Sequence, residues 1–292
     1  MTVTYAIQIL INALMLGVIY SLMALGFSLI FGIARIVNFA HGEIYMIGCF
    51  LCYFIVSFLG LPFPLGVVAS IALAGLFGVV LELFLFRRIR PEEAGTSAEY
   101  PTVAVTLALS LMLPALVATF FGTTEKAVAS GIGGTIMIGG VFMSKERLAV
   151  MVIAICIFIA VASFIRWHRA GHALSAVAQD REAAMLQGMN IDRISALAFG
   201  LGFSLAGVAG ALMAPLYYVE PVVGGTALIK TFIVVIIGGI GSIPGTLLGG
   251  LLLGLTESVG SAFLGGNLPM LFAFLAVVIF LIFRPSGLLG RD

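Results

Sequence analysis

Long apolar runs separated by short polar segments dominate the pattern of this chain. Each run approaches the length needed to cross a bilayer, because a hydrocarbon core of about 30 Å needs about 20 helical residues. The runs lie near residues 5–33, 41–59, 63–86, 101–121, 148–165, 194–215, 226–240, 246–264 and 269–283. Some can be interrupted or re-entrant. The pattern therefore predicts an all-α, polytopic helical membrane protein with about eight or nine transmembrane segments.

Composition excludes a soluble domain. Hydrophobic residues make up 62% of the 292 residues, and the mean hydropathy is +1.23, whereas soluble domains are roughly 45–50% apolar. The N-terminus lacks the positive charge of a cleavable signal peptide, so none is expected. Cys49, Cys52 and Cys156 lie in apolar runs and are interpreted as packing residues, because a zinc site needs further ligands nearby. We expect no metal site, no catalytic residues and no nucleic-acid partner.

Basic residues predict the orientation, since Lys and Arg accumulate in cytoplasmic loops. Three regions, near 87–99, 166–193 and the C-terminal tail, hold nine of the fourteen basic residues: Arg87, Arg88, Arg90, Arg166, Arg169, Arg181, Arg193, Arg284 and Arg291. If these regions face the cytoplasm, parity places the N-terminus and the 122–147 loop outside. The glycines between Gly131 and Gly140 predict a turn or small hairpin in that outer loop.

The same parity predicts a weak internal repeat. Each end of the chain then forms a hairpin that enters from outside, followed by one inward span. The two hairpins turn over polar or glycine-rich breaks at 38–43 and 238–245. Interrupted helices at corresponding places in two repeats point to the substrate path of a transporter.

The two breaks are therefore the predicted lining of a translocation path. Pro244 removes a backbone donor, and freed backbone groups at membrane depth are tolerated only inside protein or beside a water-filled cavity. The candidate residues are Asn38, His41, Gly42, Glu43, Gly238, Gly239, Gly241, Ser242, Pro244 and Gly245. Two alternatives stay open: 38–43 can lie in water at the cytoplasmic turn, and the glycines can simply allow close helix packing.

The polar segment around 169–190 is the other candidate. In a chain with 9% charged residues, a compact charged cluster in an exposed loop suits contact with a soluble partner. Residues 175–187 favour a helix, with Ser175 as a possible N-cap and Gly188 as a natural C-cap. An ordinary solvated helix is the alternative. Glu257, within the 246–264 run, has no convincing basic partner in the sequence and gives only thin support for ion coupling.

Three segments together resemble the permeases of branched-chain amino acid ABC transporters, of the high-affinity leucine, isoleucine and valine type. They are Asn38-Phe39-Ala40-His41-Gly42-Glu43-Ile44-Tyr45-Met46-Ile47-Gly48, the 171–189 stretch around Ala178-Gln179-Asp180, and Gly238-Gly239-Ile240-Gly241-Ser242-Ile243-Pro244-Gly245. The C-terminal Arg284-Pro285-Ser286-Gly287-Leu288-Leu289-Gly290-Arg291 is also similar. The resemblance covers nearly the whole chain, with the motifs in family order.

This resemblance implies a multi-pass permease subunit of the bacterial inner membrane, with one transmembrane domain over 1–292 and a cytoplasmic coupling loop at 166–193. Its partners would be a second homologous permease, two ABC ATPases, a periplasmic substrate-binding protein and membrane lipid. The subunit itself would not be an enzyme and would hold no cofactor; ATP and Mg would bind the partner ATPases. The residues implied in ATPase coupling are Gly171, Ala178, Gln179, Asp180, Arg181, Glu182, Ala183 and Gly188.

Other functions remain alternatives. Relatives of the same family for urea, amides or other amino acids would share much of the motif set. An ion-coupled secondary transporter would use Glu257 or Glu43. An intramembrane enzyme centred on His41 is weaker, because neither H-E-x-x-H nor G-x-S-x-G occurs in the chain. A nucleotide site within this chain is excluded, since no lysine follows a glycine as a P-loop requires.

Overall fold

The structure is a computed structural model, and it describes residues 3–89, 99–138, 141–239, 241–264, 268–284 and 287–289. The helices are α1 Val3–Ala34, α2 His41–Tyr53, α3 Phe63–Phe84, α4 Glu99–Phe121, α5 Lys145–Trp167, α6 Arg169–Gln179, α7 Arg181–Leu186, α8 Ile191–Met213, α9 Val223–Gly238, α10 Ile243–Leu264 and α11 Leu268–Phe283. A π-helical turn, Phe54–Phe58, continues α2, and a 3₁₀ turn, Phe86–Arg88, follows α3.

The predicted helical membrane fold is confirmed. All nine apolar runs fall on helices, and seven helical segments of the described chain are long and apolar enough to cross a membrane. The exceptions are α9 and α11, with 16 residues each. At 1.5 Å per residue each spans about 24 Å, which is less than a full hydrocarbon core. The chain is thus a multi-pass protein in which the predicted count of eight or nine is approximate.

The connecting segments separate into two ends of the molecule. At the end that we call the basic end, Arg87 after α3 pairs with Asp192 at the start of α8, with 2.7 Å between Nη2 and Oδ2. At the opposite end, Lys126 and Val219 exchange two backbone hydrogen bonds of 2.9 Å. This separation agrees with the predicted parity. That the basic end faces the cytoplasm stays a prediction.

The predicted outer loop contains the small hairpin that its glycines indicated. Strand β1, Thr135–Ile138, pairs antiparallel with β2, Val141–Ser144, and Thr135 lies opposite Ser144. Gly139 and Gly140, which the sequence placed in the turn, lie outside the described residues. Ser144 then caps α5, because its Oγ accepts a hydrogen bond from the Arg147 amide at 3.3 Å.

The core is built around α1 and α8. Over the eighteen most apolar consecutive residues of each helix, 83% of those in α1 and 72% of those in α8 are buried. The corresponding shares are 17% in α4 and 22% in α5. The outer helices expose large apolar side chains, among them Leu111, Phe120 and Ile159. Such exposure is expected on a surface that contacts lipid tails. The residues of α1 and α8 therefore lie mainly inside the bundle.

The contacts relate the helices differently from the predicted repeat. The most extensive helix pairs are α1 with α10 and α3 with α8, and α1 crosses α8 at Gly26 and Gly202. Ile33 at the end of α1 and Ile191 at the start of α8 share one apolar cluster at the basic end, so α1 and α8 run in opposite directions. This pattern relates α1, α2 and α3 to α8, α9 and α10, in the same order but with opposite direction through the bundle. The parity argument had instead matched the first hairpin with 226–264.

Candidate functional site

The first break is a re-entrant turn. After α1 ends at Ala34, the chain doubles back, and α2 begins at His41. The Nε2 of His41 bonds the carbonyl oxygen of Met23 at 3.1 Å. Because a carbonyl only accepts, Nε2 carries the proton. Met23 precedes Ala34 by eleven residues, about 16 Å of helix, so α2 begins beside the middle of α1 rather than at a membrane surface.

The polar residues of this break are buried. Asn38 and His41 are 0% exposed and Glu43 is 4% exposed, so the alternative that they lie in water at a cytoplasmic turn is wrong. Asn38 Oδ1 accepts a hydrogen bond from the Ala40 amide at 3.0 Å. Within the described chain, Asn38 Nδ2, His41 Nδ1 and Glu43 Oε2 have no hydrogen-bond partner. The first break therefore places polar atoms without hydrogen-bond partners inside the bundle.

Gly42 is required by a close approach of two helices. A Cβ at this position would overlap the Gly224 carbonyl oxygen and would lie 2.7 Å from the Leu228 Cβ. The first turns of α2 and α9 therefore pack backbone to backbone. The carboxylate of Glu43 lies against Gly224 in the same contact, which places a carboxylate beside the first turn of α9.

The second break joins α9 to α10 and is anchored on α1. Gly239 ends α9 with a φ of 90°, and Gly241 has a φ of 81°, values that glycine adopts without steric cost. The Gly241 amide donates to Ser28 Oγ of α1 at 2.8 Å, and the Gly245 amide donates to Ser242 Oγ at 3.1 Å. Ile240, in the middle of this predicted motif, lies outside the described residues.

The C-terminal segment completes this break. The amide of Leu288 donates to the Ile237 carbonyl at 2.7 Å, and that of Leu289 to the Gly238 carbonyl at 3.3 Å. Helix ends leave carbonyls without intrahelical partners, and the tail satisfies two of them at the end of α9. The sequence predicted a cytoplasmic position for this segment and a resemblance to the family, but not its role in completing the break. Pro285, Ser286, Gly290 and Arg291 lie outside the described residues.

The predicted coupling helix is two helices, α6 and α7. Asp180 divides them: its Oδ1 accepts a hydrogen bond from the Ala183 amide at 3.0 Å and caps α7. Ser175 lies inside α6, so its prediction as the N-cap is wrong; His168 Nδ1 caps α6 instead, accepting from the Ala170 amide at 3.2 Å. Gly188 follows α7 with a φ of 79°, as predicted for a C-cap glycine.

One face of α6–α7 is packed and the other is free. Leu174 and Val177 are buried in the cluster that contains Ile33 of α1 and Ala198 of α8. Gly171 fits tightly against Phe164 and Ile165. Arg181 is half-buried, and the remaining predicted coupling residues are exposed: Ala178, Gln179, Asp180, Glu182, Ala183 and Gly188. The segment is therefore attached to the core while presenting a surface at the basic end.

Two apolar side chains dominate the tip of this surface. Met185 is 54% exposed and Leu186 is 88% exposed. Neither residue is among the coupling residues predicted from the sequence. Large exposed apolar groups at the end of a short polar helix are the kind of anchor that a protein partner covers.

A cavity of about 1020 Å³ connects the two predicted sites. Its wall includes Ala178 and Gln179 of α6, Gly241, Ser242 and Pro244 of the second break, and residues 35–37, which precede the first break. Asn38, His41 and Glu43 lie deeper, beside Met23 and α9. The structure therefore brings the second break and the coupling segment to one cavity and places the polar part of the first break above it.

Glu257 has the basic partner that the sequence did not reveal. Lys230 Nζ lies 2.7 Å from Glu257 Oε1, and Tyr20 donates its hydroxyl hydrogen to Glu257 Oε2 at 2.8 Å. The partner is 27 residues away on the adjacent, antiparallel helix. Spacing along one helix could not have found this pair. It follows only from the α9–α10 hairpin.

The Asp180 cap gives a testable consequence. We expect Asp180→Ala to speed amide exchange in α7 about fivefold, because losing an N-cap acceptor costs a helix about 1 kcal/mol. Asp180→Asn keeps the acceptor oxygen without the charge and should exchange at the wild-type rate. The measurement is hydrogen exchange of residues 181–187 followed by mass spectrometry. Equal protection in both variants would show that the cap does not hold α7.

These features define a class of protein: a membrane permease whose helices surround two breaks and a cavity, with an exposed segment at one end. Comparison with known sequences identifies the family. The profile described as "Branched-chain amino acid transport system / permease component" matches residues 9–283, and the chain belongs to this family.

Curated relatives extend over almost the full length. The chain is 32% identical over 301 residues to the high-affinity branched-chain amino acid transport system permease protein LivH of Escherichia coli, covering 98% of this chain and 96% of the relative. It is 34% identical over 299 residues to the corresponding protein BraD of Pseudomonas aeruginosa, with the same coverage of 98% and 96%.

A solved structure shares the fold. The structure titled "PsaBC from Streptococcus pneumoniae in complex with Fab" aligns with a TM-score of 0.50 and 15% sequence identity, covering 94% of this chain and 91% of that one. At this identity the likeness concerns the fold alone.

Proposed function

We propose that this chain is the inner-membrane permease subunit of an ATP-driven importer for branched-chain amino acids. It would form the translocation path with a second homologous permease, receive substrate from a periplasmic binding protein and dock cytosolic ATPases through 171–189. One observation carries the proposal. The exposed α6–α7 surface belongs to a segment that also lines the cavity against the second break.

The packing of α6 supplies a route from ATPase to path. Leu174 and Val177 are buried against Ile33, one residue before the end of α1, and close-packed interiors transmit displacement rather than absorb it. Closure of the ATPase pair on ATP would move α6–α7. Because α6 packs against α1, and α1 holds Gly241 through Ser28, the movement would change the cavity between α6 and the second break.

The energy source lies outside this chain in this proposal. The chain contains no P-loop sequence, so ATP and Mg would bind the partner ATPases and no cofactor is assigned here. The proposed coupling residues keep their predicted roles, with Met185 and Leu186 added as apolar anchors because of their exposure.

Ion coupling through Glu257 is the second candidate. The carboxylate is held by Lys230 and Tyr20, and a carboxylate already neutralised by an ammonium group offers less attraction to a passing cation. A permease of the same family for urea, amides or other amino acids is the nearer alternative, because the chain is 32% identical to LivH and 34% identical to BraD.

Purification and uptake test the proposal. We expect the tagged chain, solubilised from its native membrane, to bring down a Walker-motif ATPase and a second polytopic chain. Reconstituted with its binding protein, the complex should accumulate labelled leucine, isoleucine and valine only when ATP is supplied to the cytosolic face. Labelled urea is the control substrate. Recovery of the chain alone, with uptake driven by an ion gradient, would contradict the proposal and support the second candidate.

A further inference from the structure

Three side chains from three helices form a mutually hydrogen-bonded polar cluster in the bundle. Lys230 of α9 lies 2.7 Å from Glu257 of α10, and both contact the Tyr20 hydroxyl of α1, each at 2.8 Å. The Lys230 ammonium also lies 4.8 Å from the centre of the Tyr20 ring. Each residue sits well inside its helix, so the cluster is at membrane depth.

The cluster adjoins the predicted path. Tyr20 precedes Met23, whose carbonyl holds His41, by less than one turn. Phe232, two residues after Lys230, packs edge-on against Phe27 of α1 and Phe39 of the first break. A ligand moving along the first break would therefore pass within about one helical turn of the ion pair.

The charged groups are not sealed in. The Lys230 side chain is 23% exposed and the Glu257 side chain is 20% exposed. Ionisable groups that face hydrocarbon are costly, and such residues almost always face a bundle interior or a water-filled cavity. The open side of the pair is therefore a surface that protein or water covers, as expected where a second permease completes a path.

We infer that Tyr20, Lys230 and Glu257 form a recognition site for a zwitterionic α-amino acid in the translocation path, an inference that rests on the proposed function. The substrate carboxylate would replace Glu257 on the Lys230 ammonium, and the substrate ammonium would bind Glu257. The Tyr20 hydroxyl, which hydrogen-bonds both Lys230 and Glu257, would stay bound to one of them. No covalent bond forms or breaks, and no proton needs to move.

Charge balance makes this site suitable for import. The empty site is neutral because its two charges pair with each other, and the loaded site is neutral because each charge pairs with its opposite on the ligand. Neither state leaves an unpaired buried charge, which is the costly arrangement. An uncharged amide such as urea has no charges to exchange with the pair. The site therefore favours amino acids over the amide substrates of related permeases.

The experiment uses the complete transporter, with both permeases, the ATPases and the binding protein, in proteoliposomes. The main variant is Lys230→Met with Glu257→Gln, which removes both charges and keeps the side-chain volumes close. Replacing both members of a buried pair is often neutral for stability, so the complex should assemble and hydrolyse ATP. Tyr20→Phe tests the bridging hydroxyl, and Thr256→Val is the control one residue from Glu257.

We expect the double variant to lower the maximal rate of labelled leucine uptake roughly tenfold or more, the effect of losing charge-assisted hydrogen bonds. The half-saturating concentration, set by the binding protein, should not change. Tyr20→Phe should lower the rate severalfold, and Thr256→Val should leave it unchanged. Full uptake by the double variant would overturn the inference and show that transport does not need the pair. If that variant fails to assemble, unchanged uptake by Tyr20→Phe would overturn it.

The wild-type complex separates this inference from the proposed function. If it imports none of leucine, isoleucine and valine, the proposed function fails before any variant is compared. If it imports leucine and the double variant does so equally well, the function stands and only the recognition site fails.

Discussion

Alanine at Gly202 is expected to destabilise the protein by about 2–3 kcal/mol and to remove most of the folded material, because overpacking of a close helix contact is costly. The added Cβ would lie 2.7 Å from the Gly26 carbonyl oxygen and 2.7 Å from Ile30 Cδ1. The contact is reciprocal, because a Cβ on Gly26 would lie 2.5 Å from the Gly202 carbonyl oxygen. A backbone carbonyl cannot turn away as a flexible side chain can. The two central helices would have to separate.

The measurement is the fraction of detergent-solubilised protein that remains monodisperse after a series of heating steps. Gly225→Ala is the matched control: it makes the same chemical change within α9, where a new Cβ would meet nothing within 4 Å. Because alanine is the better helix former, this control should be as stable as wild type or slightly more stable. Equal stability of the Gly202 and Gly225 variants would mean that α1 and α8 do not pack this closely.

The membrane fold followed from the sequence because a bilayer imposes one dominant requirement. A span must be apolar for about 20 residues and satisfy its own backbone, and both conditions are local. The nine apolar runs therefore fell on helices, and the polar breaks fell at the junctions where one helix ends and the next begins. The hairpin of the 122–147 loop and the C-cap at Gly188 were also predictable, because glycines in the local sequence signalled both.

How deeply a residue lies in the bundle, and which residue it pairs with, depend on contacts between segments far apart in the sequence. The spacing of residues along the chain does not reveal these contacts. The burial of Asn38 and Glu43 follows from the re-entrant path of the first hairpin, in which His41 bonds the Met23 carbonyl beside the middle of α1. The Lys230–Glu257 pair follows from the antiparallel α9–α10 hairpin. Likewise, Ser175 is a good N-cap residue by composition, but α6 begins at Arg169 because the chain leaves α5 through a tight turn at His168.

A single charge at Leu186 is expected to abolish ATPase association, with at least a hundredfold loss of affinity for Leu186→Glu. The reason lies in its position: the side chain is 88% exposed at the tip of α7 and makes no contribution to the buried core. If a groove on the ATPase covers it, the variant must bury a carboxylate without a partner, a cost typical of interface hot spots. Insertion and thermal stability should stay at wild-type values.

The matched control is Met137→Glu, which places the same charge on a residue of similar character, 62% exposed, on β1 at the opposite end of the molecule. Both variants would be tagged and purified from native membranes, and the ATPase that co-purifies would be quantified against the second permease. We expect ATPase loss from Leu186→Glu only, with the second permease retained by both. Because Leu186 contacts neither the cavity nor the breaks, wild-type ATPase recovery with this variant would move the docking surface away from α7. Loss of ATPase from both variants would instead indicate that charge at either end weakens the whole assembly.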